Sequence, residues 1–164
     1  MGSLKREIMY LLLKIAVIAM LIMLLFTFLF GIFRLADVSM SPAVKAGDLV
    51  VFYRLDKTYR IGDSIVLKYE GKKQVRRVIA AAGDTVDVTD EGLSVNGALQ
   101  QEEWVYGETL LYTEGVRFPV TVGEGQIFVL GDSREGAVDS RIYGAVDIAD
   151  TLGKLVTIIR RRDI

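Results

Sequence analysis

The 164-residue chain is 51% apolar and 25% charged, and its formal charge of −1 lacks the basic excess of a nucleic-acid-binding chain. High hydrophobicity with low net charge excludes a disordered chain, and the positive mean hydropathy points to a membrane segment beside one ordinary domain. There is no His and no Cys, which excludes a Ser-His-Asp triad, a His metal site, a disulfide framework, a zinc knuckle and a thiol protease. A serine nucleophile here needs another base, and lysine is the usual one.

The first predicted element is an apolar helix. Ile15–Phe33, IAVIAMLIMLLFTFLFGIF, is a run of 19 residues without charge, and about 20 are needed to cross a bilayer core. A cleaved signal peptide has an apolar core of about 7–15 residues and a small-x-small site; the following FGIFRLAD offers no such site. Lys5, Arg6 and Lys14 precede the run, and Arg34 alone follows closely. Cations favour the cytoplasmic side. The sequence therefore predicts residues 1–14 inside, 15–33 as a permanent single-pass anchor, and 35–164 as a domain on the outer face. That domain carries 16 Lys+Arg against 20 Asp+Glu and is mildly acidic. Ile32, Phe33, Leu35 and Met40 lie at the end of the anchor or just beyond it, so these side chains are expected to rest in the membrane interface, with lipids as partners.

After residue 35 no stretch keeps helical periodicity over three turns. Short β-rich runs separated by Gly and Asp recur instead, so the predicted fold class is mainly β. Strands are expected near Leu49–Tyr53, Ser64–Tyr69, Gln74–Ala80, Thr85–Thr89, Leu93–Val95, Gln126–Leu130 and Lys154–Ile159. Glu70-Gly71-Lys72 reads as a hairpin turn, and Asn96-Gly97 is the strongest turn signal in the chain. The region 99–123, with Trp104, Tyr106, Tyr112 and Phe118, reads as a surface excursion that packs its own aromatics.

Three blocks carry the chemistry. The first is Asp37-Val38-Ser39-Met40-Ser41-Pro42, directly after the anchor. The second is Gln74-Val75-Arg76-Arg77-Val78-Ile79, followed by Gly83-Asp84. The third, Gly131 to Arg141, alternates Asp and Arg within eleven residues. Singly, the first is a weak signal, since Ser before an apolar residue and Pro is also an ordinary turn. The third also reads as a salt-bridged loop holding two strands together.

In this order, behind an N-terminal anchor, the blocks resemble the type I signal peptidase family, in its short Gram-positive form. The resemblance implies a signal-peptidase-like β domain and a membrane-bound serine endopeptidase that removes signal peptides on the outer face. It implies a Ser/Lys dyad, no cofactor and no metal. Its S-M-x-P serine maps onto Ser39, with Asp37, Met40 and Pro42 in the substrate and oxyanion region. Its G-D-x-R…D-S-R loop maps onto Gly131, Asp132, Arg134, Asp139, Ser140 and Arg141, and Arg77 is expected to pair with Asp132.

The departures share one physical direction. The dyad lysine falls on Arg76, the serine that orients it falls on Ala137, and Asp37 stands where the family has Gly or Ser. Burial lowers a Lys pKa to roughly 7–8, whereas Arg stays protonated in proteins, so Arg76 is no base for Ser39. A carboxylate at Asp37 repels the charge that develops on an oxyanion. Residues two apart on an extended chain share a face, so Asp37 and Ser39 are expected to face the dyad site together, with Arg76 paired to Asp37. The competing expectation has Arg76 in solvent and Lys72 as substitute base, although it lies about 13 Å away along the strand. Two functions follow: a signal peptidase acting on exported preproteins, or a non-catalytic relative that serves as scaffold or chaperone for exported clients such as pilins.

Overall fold

The apolar run starts as a helix and ends as a strand. α1 (Gly2–Leu29) leads directly into β1 (Phe30–Arg34). The computed structural model describes residues 2–101, 105 and 107–160. Leu4–Leu29 is long and apolar enough to cross a membrane, and none of it is buried against the rest of the chain. Of the expected span 15–33, residues 30–33 instead pair with β2 (Leu49–Tyr53). Gly31 permits this, because a Cβ there would stand 2.1 Å from the Phe52 ring. Phe30 also meets Tyr53, with ring centroids 5.3 Å apart, and aromatic residues suit a pleated surface.

The chain continues through β3 (Ser64–Tyr69), β4 (Lys72–Ala81), β5 (Thr85–Thr89), β6 (Gly92–Val95), β7 (Ala98–Leu99) and β8 (Val120–Thr121). It closes with β9 (Gln126–Leu130), α2 (Ser140–Tyr143), β10 (Val146–Asp147) and β11 (Gly153–Ile159). The mainly β class is as the composition of the runs predicts, and four predicted strands have the predicted bounds. The two-residue strands β7, β8 and β10 are too short to show alternation in the sequence. One sheet has the order β1-β2-β11-β3-β4-β9-β10 and the other β7-β6-β5-β8. Glu70 and Gly71 at one turn, and Asn96 and Gly97 at another, all have positive φ (47°, 79°, 53° and 78°). That is the geometry of two-residue hairpins whose twist matches their strands.

Three apolar clusters hold the sheets. Phe128 and Leu130 pack with Val86, Val88 and Leu93 between the two sheets. Ile65, Leu67, Val78 and Val129 form a second cluster. The third joins Val50, Phe52, Val66 and Val75 to Leu35, Met40 and Val44. Leu35 and Met40 are 1% and 0% exposed, so the expectation that they rest in a membrane interface is corrected. Leu35 N–H donates to the Asp48 carbonyl, and Gly47 N–H to the Leu35 carbonyl. These bonds turn the chain inward, while Ile32 stays exposed.

The aromatics of 99–123 do not pack only on one another. Phe118 meets the Phe128 ring edge-on at 6.1 Å, and the Arg141 guanidinium lies 4.7 Å from the centre of the Tyr112 ring. Trp104 and Tyr106 lie outside the described residues. The body of the domain already offers apolar and cationic surfaces, so the excursion packs onto it.

Phe52 is fully buried where β1, β2 and the Leu35–Val44 segment meet. Phe52→Ala should destabilise the full chain in detergent by about 3–5 kcal/mol, read as a lowered midpoint of thermal unfolding. Leu99→Ala, at a 54% exposed position, should shift it by no more than about 0.5 kcal/mol.

Candidate functional site

Ser39 is placed by the short segment between β1 and the first core turn. It is 5% exposed. Asp37 folds back on it in an Asx turn, a conformation that Asp makes readily with the backbone two residues on. Asp37 Oδ1 accepts from the Ser39 N–H at 2.9 Å and from Ser39 Oγ at 2.6 Å. Both donors of the serine therefore end on one carboxylate oxygen.

The other oxygen of Asp37 meets Arg76. The Arg76 Nη1 donates to Asp37 Oδ2 in a short charged contact and to the Val75 carbonyl at 2.6 Å. Nε and Nη2 donate to the Val138 carbonyl at 3.0 and 2.8 Å. Arg76 is 1% exposed. It sits on β4, opposite Ile65 of β3, and points at the serine segment rather than at solvent. Lys72 and Lys73 lie at the exposed hairpin end of the same strand.

A rigid loop backs this cluster. The next residue on β4, Arg77, binds Asp132 bidentately, Nε to Oδ1 at 2.7 Å and Nη2 to Oδ2 at 2.5 Å. Asp139 is buried and takes two bonds from the Arg141 guanidinium, each 2.9 Å. Its Oδ2 also accepts from the Gly131 N–H at 3.1 Å. Arg134, also buried, donates from Nε to the Gly131 carbonyl at 2.8 Å and from Nη1 to Thr109. Ser133 N–H donates to the Ser39 carbonyl at 2.8 Å, which locks the loop to the serine. A Cβ on Gly131 would stand 2.7 Å from the Ser39 carbonyl oxygen, so only glycine allows this approach. Ala137 is fully buried, and its Cβ would stand 3.0 Å from a Cβ placed on Gly131; its side chain is a methyl group and carries no hydroxyl.

A groove of about 560 Å³ opens over the cluster, with Asp37, Ser39, Arg76 and Val138 in its lining beside Arg34 and Lys72. Met40 faces the core and Pro42 is exposed beyond the turn, joined to Ser41 by a cis peptide bond. Neither lines the groove. The Val138 carbonyl and the Thr109 hydroxyl are partners that no motif marks, since one is backbone and the other is distant in sequence.

The electrostatics oppose proton transfer. Burial raises the pKa of Asp37, but the Ser39 hydroxyl, the Arg76 charge and the Ser39 N–H together outweigh it and hold the carboxyl below its ordinary value. Asp37 is thus a weak base, and Arg76 cannot act as a base. An oxyanion forming at Ser39 would also find its N–H already engaged. Asp37→Ala would leave the buried Arg76 without its anion. It should lower stability by roughly 3 kcal/mol, the low end for a broken buried pair because Asp37 is partly exposed. The double variant Asp37→Ala, Arg76→Met should recover most of that loss in thermal unfolding.

Comparisons with known proteins identify the family. The family model described as signal peptidase, peptidase S26, matches residues 8–159. Signal peptidase I of Bacillus caldolyticus is 33% identical over 144 residues, 78% of this chain and 78% of the relative. A probable thylakoidal processing peptidase 2 of Arabidopsis thaliana is 30% identical over 131 residues, 72% of this chain, and the match spans 35% of that longer protein. The crystal structure of a signal peptidase I from Enterococcus faecalis V583 superposes with a TM-score of 0.50 at 28% identity, covering 60% of this chain and 97% of that one. With its apolar N-terminal helix, its curled β domain and a family match over nearly its whole length, the chain belongs to the signal peptidase family, peptidase S26.

Proposed function

We propose that this chain is a membrane-anchored member of the family whose groove binds an extended segment of an exported preprotein and, as it stands, hydrolyses it slowly or not at all. The observation that carries the reading is that Asp37 accepts from both donors of Ser39 while bound to Arg76. The base position is a permanent cation, and the oxyanion N–H is occupied. Binding is served by the backbone: β3 pairs along Lys72–Arg77, but β9 joins the opposite edge of β4 only from Arg77 onward. Among the described strands, the Lys72–Gln74 edge beside the groove is open to strand addition, which recognises main chain before sequence. Pilin-like chains are clients of this kind.

A second reading has one observation in its favour. The 2.6 Å bond from Ser39 Oγ to Asp37 has the geometry for Asp37 to accept the serine proton, which would make the chain a slow endopeptidase for preproteins with small residues before the cut.

An assay of the full chain on a signal-peptide substrate separates the readings. The unmodified chain should cleave slowly or not at all, and Arg76→Lys alone should help little. The triple change Arg76→Lys, Ala137→Ser, Asp37→Gly supplies a base, its orienter and a free oxyanion site. It should raise the rate by at least about 10²-fold, the lower end of general-base catalysis, and Ser39→Ala should abolish the gain. Cleavage by the unmodified chain, even if slow, that is lost in both Ser39→Ala and Asp37→Asn would instead establish Asp37 as the base.

The orientation belongs to the same reading, with the N-terminus inside, supported by Lys5, Arg6 and Lys14 ahead of the apolar helix. Protease added outside intact cells should digest residues 35–164 while the helix stays in the membrane. Recovery of a mature chain beginning after residue 34 would overturn the anchor.

A further inference from the structure

The groove has a charge that the Ser39 cluster does not need. Asp37 and Arg76 line it and compensate each other. Arg34, Lys72 and Lys73 line it too, all three exposed, and among the described residues none has a carboxylate within salt-bridge distance. Residues 35–164 hold more Asp and Glu than Lys and Arg, so this cationic lining is a local feature of a mildly acidic domain.

We propose that the groove selects extended segments carrying Asp or Glu side chains, an inference that rests on the reading of the groove as a peptide cleft. The cations stand where such a segment would run. Lys72 and Lys73 belong to the open edge of β4, and alternation along the strand sends them to opposite faces. Lys73 reaches toward β1, its Nζ 5.4 Å from the centre of the Phe33 ring. Arg34, the last residue of β1, adds a third positive side chain. A strand laid along Lys72–Gln74 therefore meets cations on both of its faces. Phe33 and Val138 supply apolar contact between them. An anionic lipid headgroup satisfies the same cations but leaves the open backbone edge unused, so the geometry favours the peptide.

The test uses the full chain in phosphatidylcholine nanodiscs and three dye-labelled ten-residue peptides, alike except that alternate positions are Asp, Asn or Lys. Fluorescence anisotropy should show the Asp peptide binding about tenfold tighter than the Asn peptide at low salt, the sum of a few exposed charge pairs. The Lys peptide should bind most weakly. The advantage should shrink at about 1 M salt, where screening acts over roughly 3 Å. Most of it should also be lost in the variant Lys72→Gln, Lys73→Gln, whose positions are exposed. Equal binding of the Asp and Asn peptides would overturn the acidic preference and leave the cleft standing. Failure of all three to bind would overturn both. A preference undiminished in the double variant would refute Lys72 and Lys73 as its source and the proposal with them. Should the double variant lose only affinity for phosphatidylglycerol vesicles, with peptide binding unchanged, the partner is the membrane and the proposal fails.

Discussion

A guanidinium buried to 1% exposure has to meet an anion, and Arg76 meets Asp37. Leaving either charge alone in this site would cost several kcal/mol, so the pair determines where the Asp37–Ser39 turn lies against β4. Everything else at the site adjusts to it. The serine turns both donors to Asp37, the Val138 carbonyl turns to Arg76, and the groove opens over the result. Arg76 is a fixed planar cation, whereas a lysine in the same place would be a compact amine able to lose its proton.

Around that pair stands a frame of charged hydrogen bonds. Arg77 and Asp132, Arg141 and Asp139, and Arg134 on the Gly131 carbonyl form a connected set of charged bonds that ties β4, β9 and α2 to the serine segment. Each guanidinium offers donors in a rigid fork that suits carboxylates and carbonyls, so a loop without regular structure is held as firmly as a strand.

The groove is tied to the apolar helix through backbone rather than through a linker. β1 follows α1 without a break and pairs with β2, and residues 33–37 and Ser39 then line the groove or enter the core beneath it. The position of the groove relative to the helix is thereby set by sheet hydrogen bonds. A segment presented close to the end of the helix would reach the open edge of β4 without crossing a flexible joint.

Much of this was legible in the residues themselves. The order of the three blocks behind an apolar helix pointed to the signal peptidase family. Hairpin chemistry at Glu70-Gly71 and Asn96-Gly97 and the alternating runs located the main strands, because these signals are local. Charge alone announced that Arg76 needs an anion, and spacing placed Asp37 on the serine's face. Only the tertiary structure decided that the end of the apolar run pairs as a strand, since the contact of Gly31 with Phe52 joins residues far apart in sequence. It also decided that Leu35 and Met40 are core and that the Ser39 N–H is engaged. The cations of three separate positions line one groove for the same reason: the direction of a side chain and the partner of a backbone group depend on what the rest of the chain brings beside them.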